Sequence, residues 1–148
     1  MKTKLNSRSK TKWHMHLVLR DEKGNIKEER NVFNTVTTAG KNGAADQIIG
    51  SPTLGKPTHM AIGTGSPAAT LLGTEIDRNA LTSKTRSGAV VTMVGDWAAG
   101  DGTGAITEAG VFDVVTANTV NMWMSASFSV VNKGAADTLS ISWTLTFA

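Results

Sequence analysis

The clearest pattern in the chain is a strict alternation of apolar and polar positions near its C-terminal end. Over Thr138 to Phe147, Leu139, Ile141, Trp143, Leu145 and Phe147 alternate with Ser140, Ser142, Thr144 and Thr146. Over Asn121 to Val131, Met122, Met124, Ala126, Phe128 and Val130 alternate with Trp123, Ser125, Ser127 and Ser129. A period of two sustained this long predicts antiparallel strands with one buried and one wet face. Asn132 to Asp137, with Gly134 inside it, joins them as a hairpin loop. Trp123 falls on the Ser-rich face, which predicts an aromatic side chain available to an interface.

The same period appears upstream. Trp13, Met15, Leu17 and Leu19 oppose His14, His16, Val18 and Arg20. A turn at Asp21 to Asn25 and a polar return over Ile26 to Phe33 complete a hairpin. Thr37 or Thr38 caps a short helix that Gly50 stops, with Pro52 just beyond. Its apolar stripe is thin, so it covers a sheet edge or end. His59 to Gly63 reads as a short strand, and Leu71 to Asn79 as a second helical turn around Thr74 to Asp77. Ala80 to Arg86 and Ala89 to Trp97 pair across Ser87-Gly88. Gly104 to Phe112 is an inner strand in which Gly110 permits close packing or a bulge. The sum is an all-β fold, an antiparallel β-sandwich or small barrel of about seven or eight strands with one or two short helices.

Composition agrees with strands and turns. Of 148 residues, 18% are charged, below the roughly 25% of ordinary globular chains. Gly, Ala, Ser and Thr fill the difference. The length suits a single domain. There is no cysteine, which removes disulfides, thiolate metal sites and a thiol nucleophile. The start of the chain has charge but no apolar stretch of a secretory signal, and no run is long enough to span a membrane.

Charge divides the chain in two. Lys2, Lys4, Arg8, Lys10 and Lys12 lie in the first twelve residues with no acid among them. That leaves ten bases against twelve acids, so the body is slightly acidic although the whole carries +3. Residues 1–11 therefore read as a basic extended arm and 12–148 as the β-domain. An arm of this composition orders against an acidic surface or remains a solvated tail. Nucleic-acid binding is the weaker account, since only Trp13 lies near for stacking.

The candidate chemistry is sparse. His14 and His16 share a strand face and could offer two ligands to Zn²⁺ or Cu²⁺, but a third is missing locally and only His59 remains elsewhere. Gly63-Thr64-Gly65-Ser66-Pro67-Ala68 fits a loose dinucleotide-loop pattern, yet the strand–helix–strand context and the acid after it are absent. A glycine turn for close backbone packing explains it better. Glu108 is a lone acid in an apolar strand, where burial could raise its pKa. A structural partner is the stronger account. No nucleophile elbow or triad is placed by any local motif. Catalytic, cofactor and metal residues are thus all read as none, and the chain as no enzyme. The residues expected to make contacts are the arm bases Lys2, Lys4, Arg8, Lys10 and Lys12, with Trp13 and Trp123 as interface aromatics.

Several stretches occur in an order that resembles a family. They are His59-Met60-Ala61-Ile62-Gly63-Thr64-Gly65, Arg78-Asn79-Ala80-Leu81-Thr82-Ser83, and Gly104-Ala105-Ile106-Thr107-Glu108-Ala109-Gly110-Val111-Phe112. Phe128 to Leu139 and Trp143-Thr144-Leu145-Thr146-Phe147 follow. This run is similar to small virion structural proteins of tailed bacteriophages, variously tail-fibre, minor structural or head decoration proteins. The resemblance covers the chain from about Trp13 onward. It implies a non-enzymatic β-sandwich virion component, assembled in the host bacterial cytoplasm and carried in the virion. Its partners would be the major capsid protein or other virion subunits, with homo-oligomers such as trimers, and neither nucleic acid nor membrane. A capsid decoration or cement protein is the first reading, and a tail or tail-fibre protein for host attachment the alternative. The resemblance implies no catalytic residue and no cofactor.

Overall fold

The computed structural model describes residues 11–33 and 35–147. The arm bases Lys2, Lys4, Arg8 and Lys10 lie outside the described residues. Ten strands and one helix follow in order: β1 (Lys12–Arg20), β2 (Ile26–Phe33), β3 (Thr35–Val36), α1 (Thr38–Ile49), β4 (His59–Gly63), β5 (Glu75–Ala80), β6 (Ser83–Ser87), β7 (Val90–Trp97), β8 (Gly104–Phe112), β9 (Met122–Lys133) and β10 (Thr138–Thr146). They form two antiparallel five-stranded sheets, in the orders β2-β1-β10-β7-β6 and β3-β9-β8-β4-β5. This is the all-β sandwich that the alternation predicts. The strand count is higher because β3 is only two residues long and because the expected second helical turn is strand β5.

The core lies between the sheets. Met15, Leu17, Leu19, Met93, Trp97, Leu139, Ile141 and Trp143 from the first sheet meet Met60, Ile62, Ile106, Ala109, Val111, Met124, Ala126 and Val131 from the second. β10 keeps its strict alternation throughout, with Leu139, Ile141, Trp143 and Leu145 buried. β9 does not. Ile106 pairs with Val131 and Glu108 with Ser127, two steps on β8 against four on β9. This bulge shifts the alternation, so Val131 is buried and Val130 stands 42% exposed. It also turns Glu108 away from the face of Ile106, although the two are only two residues apart.

The second sheet is buried on its outer face as well. Ala61, Leu72, Phe112 and Met122 form a smaller cluster there. The chain between β4 and β5, which contributes Leu72, covers it. Along the other side, α1 closes over β9. Thr37 caps the helix by accepting from the Gly40 N–H at 2.9 Å, and its hydroxyl approaches the Met122 carbonyl at 2.7 Å. Gly40 must be glycine, because a Cβ there would stand 2.0 Å from the Trp123 carbonyl oxygen. Gly50, left-handed at φ 72°, ends the helix.

Side chains join the sheets where no ladder does. Arg30 of β2 donates to the Ser129 and Val130 carbonyls, and Glu28 accepts from the Asn132 N–H. Backbone groups of Ser129, Val130 and Asn132 in β9 are thereby satisfied without another strand, which also protects β9 from unwanted pairing.

Candidate functional site

The chain enters the sandwich at one end. Lys12, exposed, opens β1 opposite Thr146. His14 pairs with Phe33 across β1 and β2, their rings 5.7 Å apart, and Phe147 hydrogen-bonds Ala89 through its backbone nearby. Phe33 is 82% exposed and Phe147 53%. The basic segment thus joins the domain beside two uncovered aromatic side chains. Trp13 lies between these and the core, partly buried and packed against it.

Trp123 requires a correction. It lies on the Ser-rich face of β9, as its position predicts, but it is 7% exposed. α1 and the segment after it cover the ring: Leu54 shares its cluster, and the indole Nε1–H donates to the Gly55 carbonyl at 3.0 Å. Its contact surface is used within the chain. Alternation fixes which face a residue takes but not what later covers that face. Trp97 and Trp143 are core residues at 1% and 0% exposure. Their indole N–H groups have no hydrogen-bond partner among the described residues.

The candidate chemistry resolves into structural roles. His14 and His16 do share a face, but each has a different neighbour: His14 meets Phe33, and His16 Nε2 meets Glu29 Oε1. His59 pairs with Phe112 and Ala80 in the second sheet, and its Nδ1 lies 2.8 Å from the Thr58 hydroxyl. Burial, and then the nearby Arg78 charge, hold its pKa below the usual imidazole value. No group of three His, Cys, Asp or Glu side chains able to hold a metal occurs among the described residues.

Glu108 explains the glycine loop. Its carboxylate is fully buried and accepts from the backbone N–H groups of Gly65 at 3.0 Å, Gly73 at 2.8 Å and Thr74 at 2.7 Å. Gly65 of the Gly-Thr-Gly segment thus joins Gly73 and Thr74 in an anion cradle, but the anion is the chain's own. A Cβ at Gly63 would fall 2.4 Å from the same carboxylate, so the close approach requires glycine. Ionised carboxylates accept only, and three N–H donors satisfy one well. Glu108 ties the chain between β4 and β5 to the outer face of the second sheet.

Two further buried polar groups carry no signal in the sequence. Arg78 and Glu75 form a two-pronged pair, Nε to Oε1 at 2.7 Å and Nη2 to Oε2 at 2.8 Å, with both side chains 2% exposed. Arg78 also donates to the Val114 carbonyl and the Thr119 hydroxyl, and stacks 3.7 Å above the Phe112 ring. Residues three apart on a regular strand face opposite ways. Here Gly63 pairs with Glu75 and Ile62 with Asp77, so an extra residue on β5 re-aims Glu75. Lys133, 2% exposed, donates to the Ala98 and Asp137 carbonyls, and burial pushes its pKa down. Asp137 accepts from Lys27 Nζ at 2.7 Å and from the Gly134 N–H at 2.8 Å. The Lys27 hydrogen bond first, then that N–H, hold its carboxyl below the ordinary aspartate value.

No helix among the described residues is long and apolar enough to cross a membrane. Comparisons with family models, curated proteins and solved structures find no match.

Proposed function

We propose that this chain is a non-enzymatic structural component of a tailed-bacteriophage virion, a capsid decoration protein that binds the outer shell through its basic arm. The ordered run of motifs similar to virion structural proteins supports the virion reading. The observation that carries the binding mode is the charge division: Lys2, Lys4, Arg8 and Lys10 precede, and Lys12 opens, a chain of otherwise slightly acidic balance, and Lys12 lies at the end of the domain with exposed Phe33 and Phe147. The buried ionisable groups weigh on the same side, because Glu108, Glu75, Arg78 and Lys133 all serve loops and strands of the fold itself. A small domain stabilises a shell by binding only the assembled state, and an extended arm adds reach at a cost in ordering.

A tail-fibre protein that met a host glycan would call for an exposed tryptophan as a stacking platform. With Trp97, Trp123 and Trp143 buried, that platform is missing from the strand faces.

Deleting residues 1–11 tests the reading. The truncated domain keeps its circular dichroism spectrum and thermal transition, and loses co-sedimentation with emptied phage heads. Retained head binding, or full-length protein that sediments with tails alone, overturns it.

A further inference from the structure

The first sheet ends on an edge strand. β6 pairs with β7 alone, and every residue from Ser83 to Ser87 is exposed. The ladder decides which of its backbone groups are open. Phe147 donates through its backbone to the Ala89 carbonyl, in line with the pairing of Thr146 and Val90, so the odd-numbered residues of β7 bond β10. The even-numbered ones turn to β6, and there the Val94 carbonyl accepts from the Thr82 N–H. Ser83, Thr85 and Ser87 lie opposite Val94, Thr92 and Val90, and their backbone groups are used in that ladder. The N–H and carbonyl groups of Lys84 and Arg86 therefore point away from the sheet, and they have no partner among the described residues.

The side chains at these two open positions carry one sign. Lys84 and Arg86 share a face, and among the described residues they donate to the Pro57 and Gly88 carbonyls rather than to any acid. Lys56, also exposed, stands next to Pro57 in the chain. From Ser83 to Trp97 the hairpin holds a single acid, Asp96, at the end away from its turn. The other face of β6 is small and uncharged: Ser83, Thr85 and Ser87 continue the row of Val94, Thr92 and Val90. Bases on an edge discourage pairing with a strand of the same sign. A second β6 laid antiparallel on this one, centred on Thr85, would set lysine and arginine against each other, which is destabilising. An acidic strand meets the opposite balance.

We propose that β6 takes an extended acidic segment of another protein as a further antiparallel strand, with a carboxylate at every second position. The residues opposite Lys84 and Arg86 face those two bases and are Asp or Glu. The residues between them lie beside Thr85 and the Val90 to Val94 row, and suit Val or Thr. Backbone pairing supplies the register, and the alternate carboxylates supply the selection. With open backbone groups at Lys84 and Arg86 only, a single contact is weak, and it strengthens where several copies engage one surface. The proposal stands on the edge and does not require the virion reading.

Amide hydrogen exchange followed by NMR on the full-length protein tests this. The probes are Val-Asp-Val-Asp-Val, Val-Lys-Val-Lys-Val and the scrambled Val-Val-Asp-Asp-Val, each with blocked ends. At saturation Val-Asp-Val-Asp-Val slows exchange of the Lys84 and Arg86 amides by at least about tenfold, and the other two peptides leave it unchanged. Arg86→Glu removes that protection without altering the thermal transition, since the side chain is exposed. Lys84→Glu does the same and serves if the first variant fails to fold. Protection of neither amide, equal protection by the scrambled peptide, or unchanged protection in both variants overturns the proposal. So does an acidic peptide that shifts the Lys84 and Arg86 resonances without slowing their amides, which would be charge attraction with no strand added. Slow exchange of both amides in the protein alone, lost on dilution, also overturns it and makes a second copy the occupant.

Discussion

β10 and β8 face each other across one core, yet the two strands are built differently. β10 belongs to a sheet whose outer face is a row of small hydroxyl side chains, Ser140, Ser142, Thr144 and Thr146, all partly exposed. β8 is buried on both faces from Glu108 to Phe112. Its outer face holds a second cluster, a carboxylate in a backbone cradle and the Glu75–Arg78 pair. β10 contributes hydrophobic burial on its inner face and carries no buried charge on its outer one. The second sheet depends in addition on buried polar groups, which are stabilising only while every partner is present. Substitutions that look mild by chemistry are therefore severe on one face and negligible on the other.

The largest expected effect comes from breaking the ion pair. Arg78→Ala leaves Glu75 charged, buried and without its main partner, and removes the cation from Phe112. Urea unfolding should show a loss of about 3–5 kcal/mol. The double variant Glu75→Leu/Arg78→Met keeps the volume and removes both charges, so it should recover most of that loss. A double variant no better than Arg78→Ala would show that the hydrogen bonds to Val114 and Thr119, rather than the uncompensated charge, dominate.

A smaller and sharper contrast sets Glu108 against Ser142. Glu108→Gln is nearly isosteric but turns one acceptor into an NH₂ donor facing N–H groups, at a cost of about 1–3 kcal/mol. Ser142→Val, on the partly exposed face of β10, should stay within about 0.5 kcal/mol of the parent. Comparable losses in the two would mean that the hydroxyl row of the first sheet is itself covered, for instance in an oligomer.

The difference between the sheets also decides what the sequence could disclose. A strand with one wet face writes its burial pattern into alternation, so β1, β9 up to Ala126, and β10 were legible. β8 lacks that alternation, and its Glu108 read as an isolated acid, because the donors that hold it come from Gly65, Gly73 and Thr74, more than thirty residues away. The bulge opposite Thr107 leaves no local trace in β9, where Val130 and Val131 are chemically alike. β5 read as a helical turn because Glu75 and Arg78 sit at helical spacing and only a bulge brings them together on a strand. Trp123 was placed on the correct face, but the helix covering that face has too thin an apolar stripe to announce its docking; glycines at 40 and 43 do the packing. Of the contact residues, Lys12 and Trp13 sit at the end where the arm joins. The exposed Phe33 beside them was not legible as a surface aromatic, because it ends a polar strand and nothing local says what covers it.

The smallest expected effects lie where the sheets are joined, in the turn between β9 and β10. Asp137 has its pKa lowered by the Lys27 hydrogen bond and the Gly134 N–H, while in the unfolded chain it sits near 3.8. As pH falls through the interval between those values, the unfolded state takes up the proton first. The contribution of Asp137 is thus complete above the unfolded value and is lost as pH drops through the folded one. Lys133 gives the opposite arm of the profile. Its folded pKa lies below 10.5, so between the two values the unfolded state again binds more protons, and stability rises with pH across that alkaline interval. Thermal midpoints measured from acid to alkaline pH should show both slopes. Asp137→Asn should flatten the acid one, leaving the part that belongs to Asp21, whose carboxyl is held low by Asn25 in the β1–β2 turn. If Asp137→Asn leaves the acid slope unchanged, the Lys27 contact contributes nothing in solution, and the seam between the sheets is held by Arg30 and Glu28 instead.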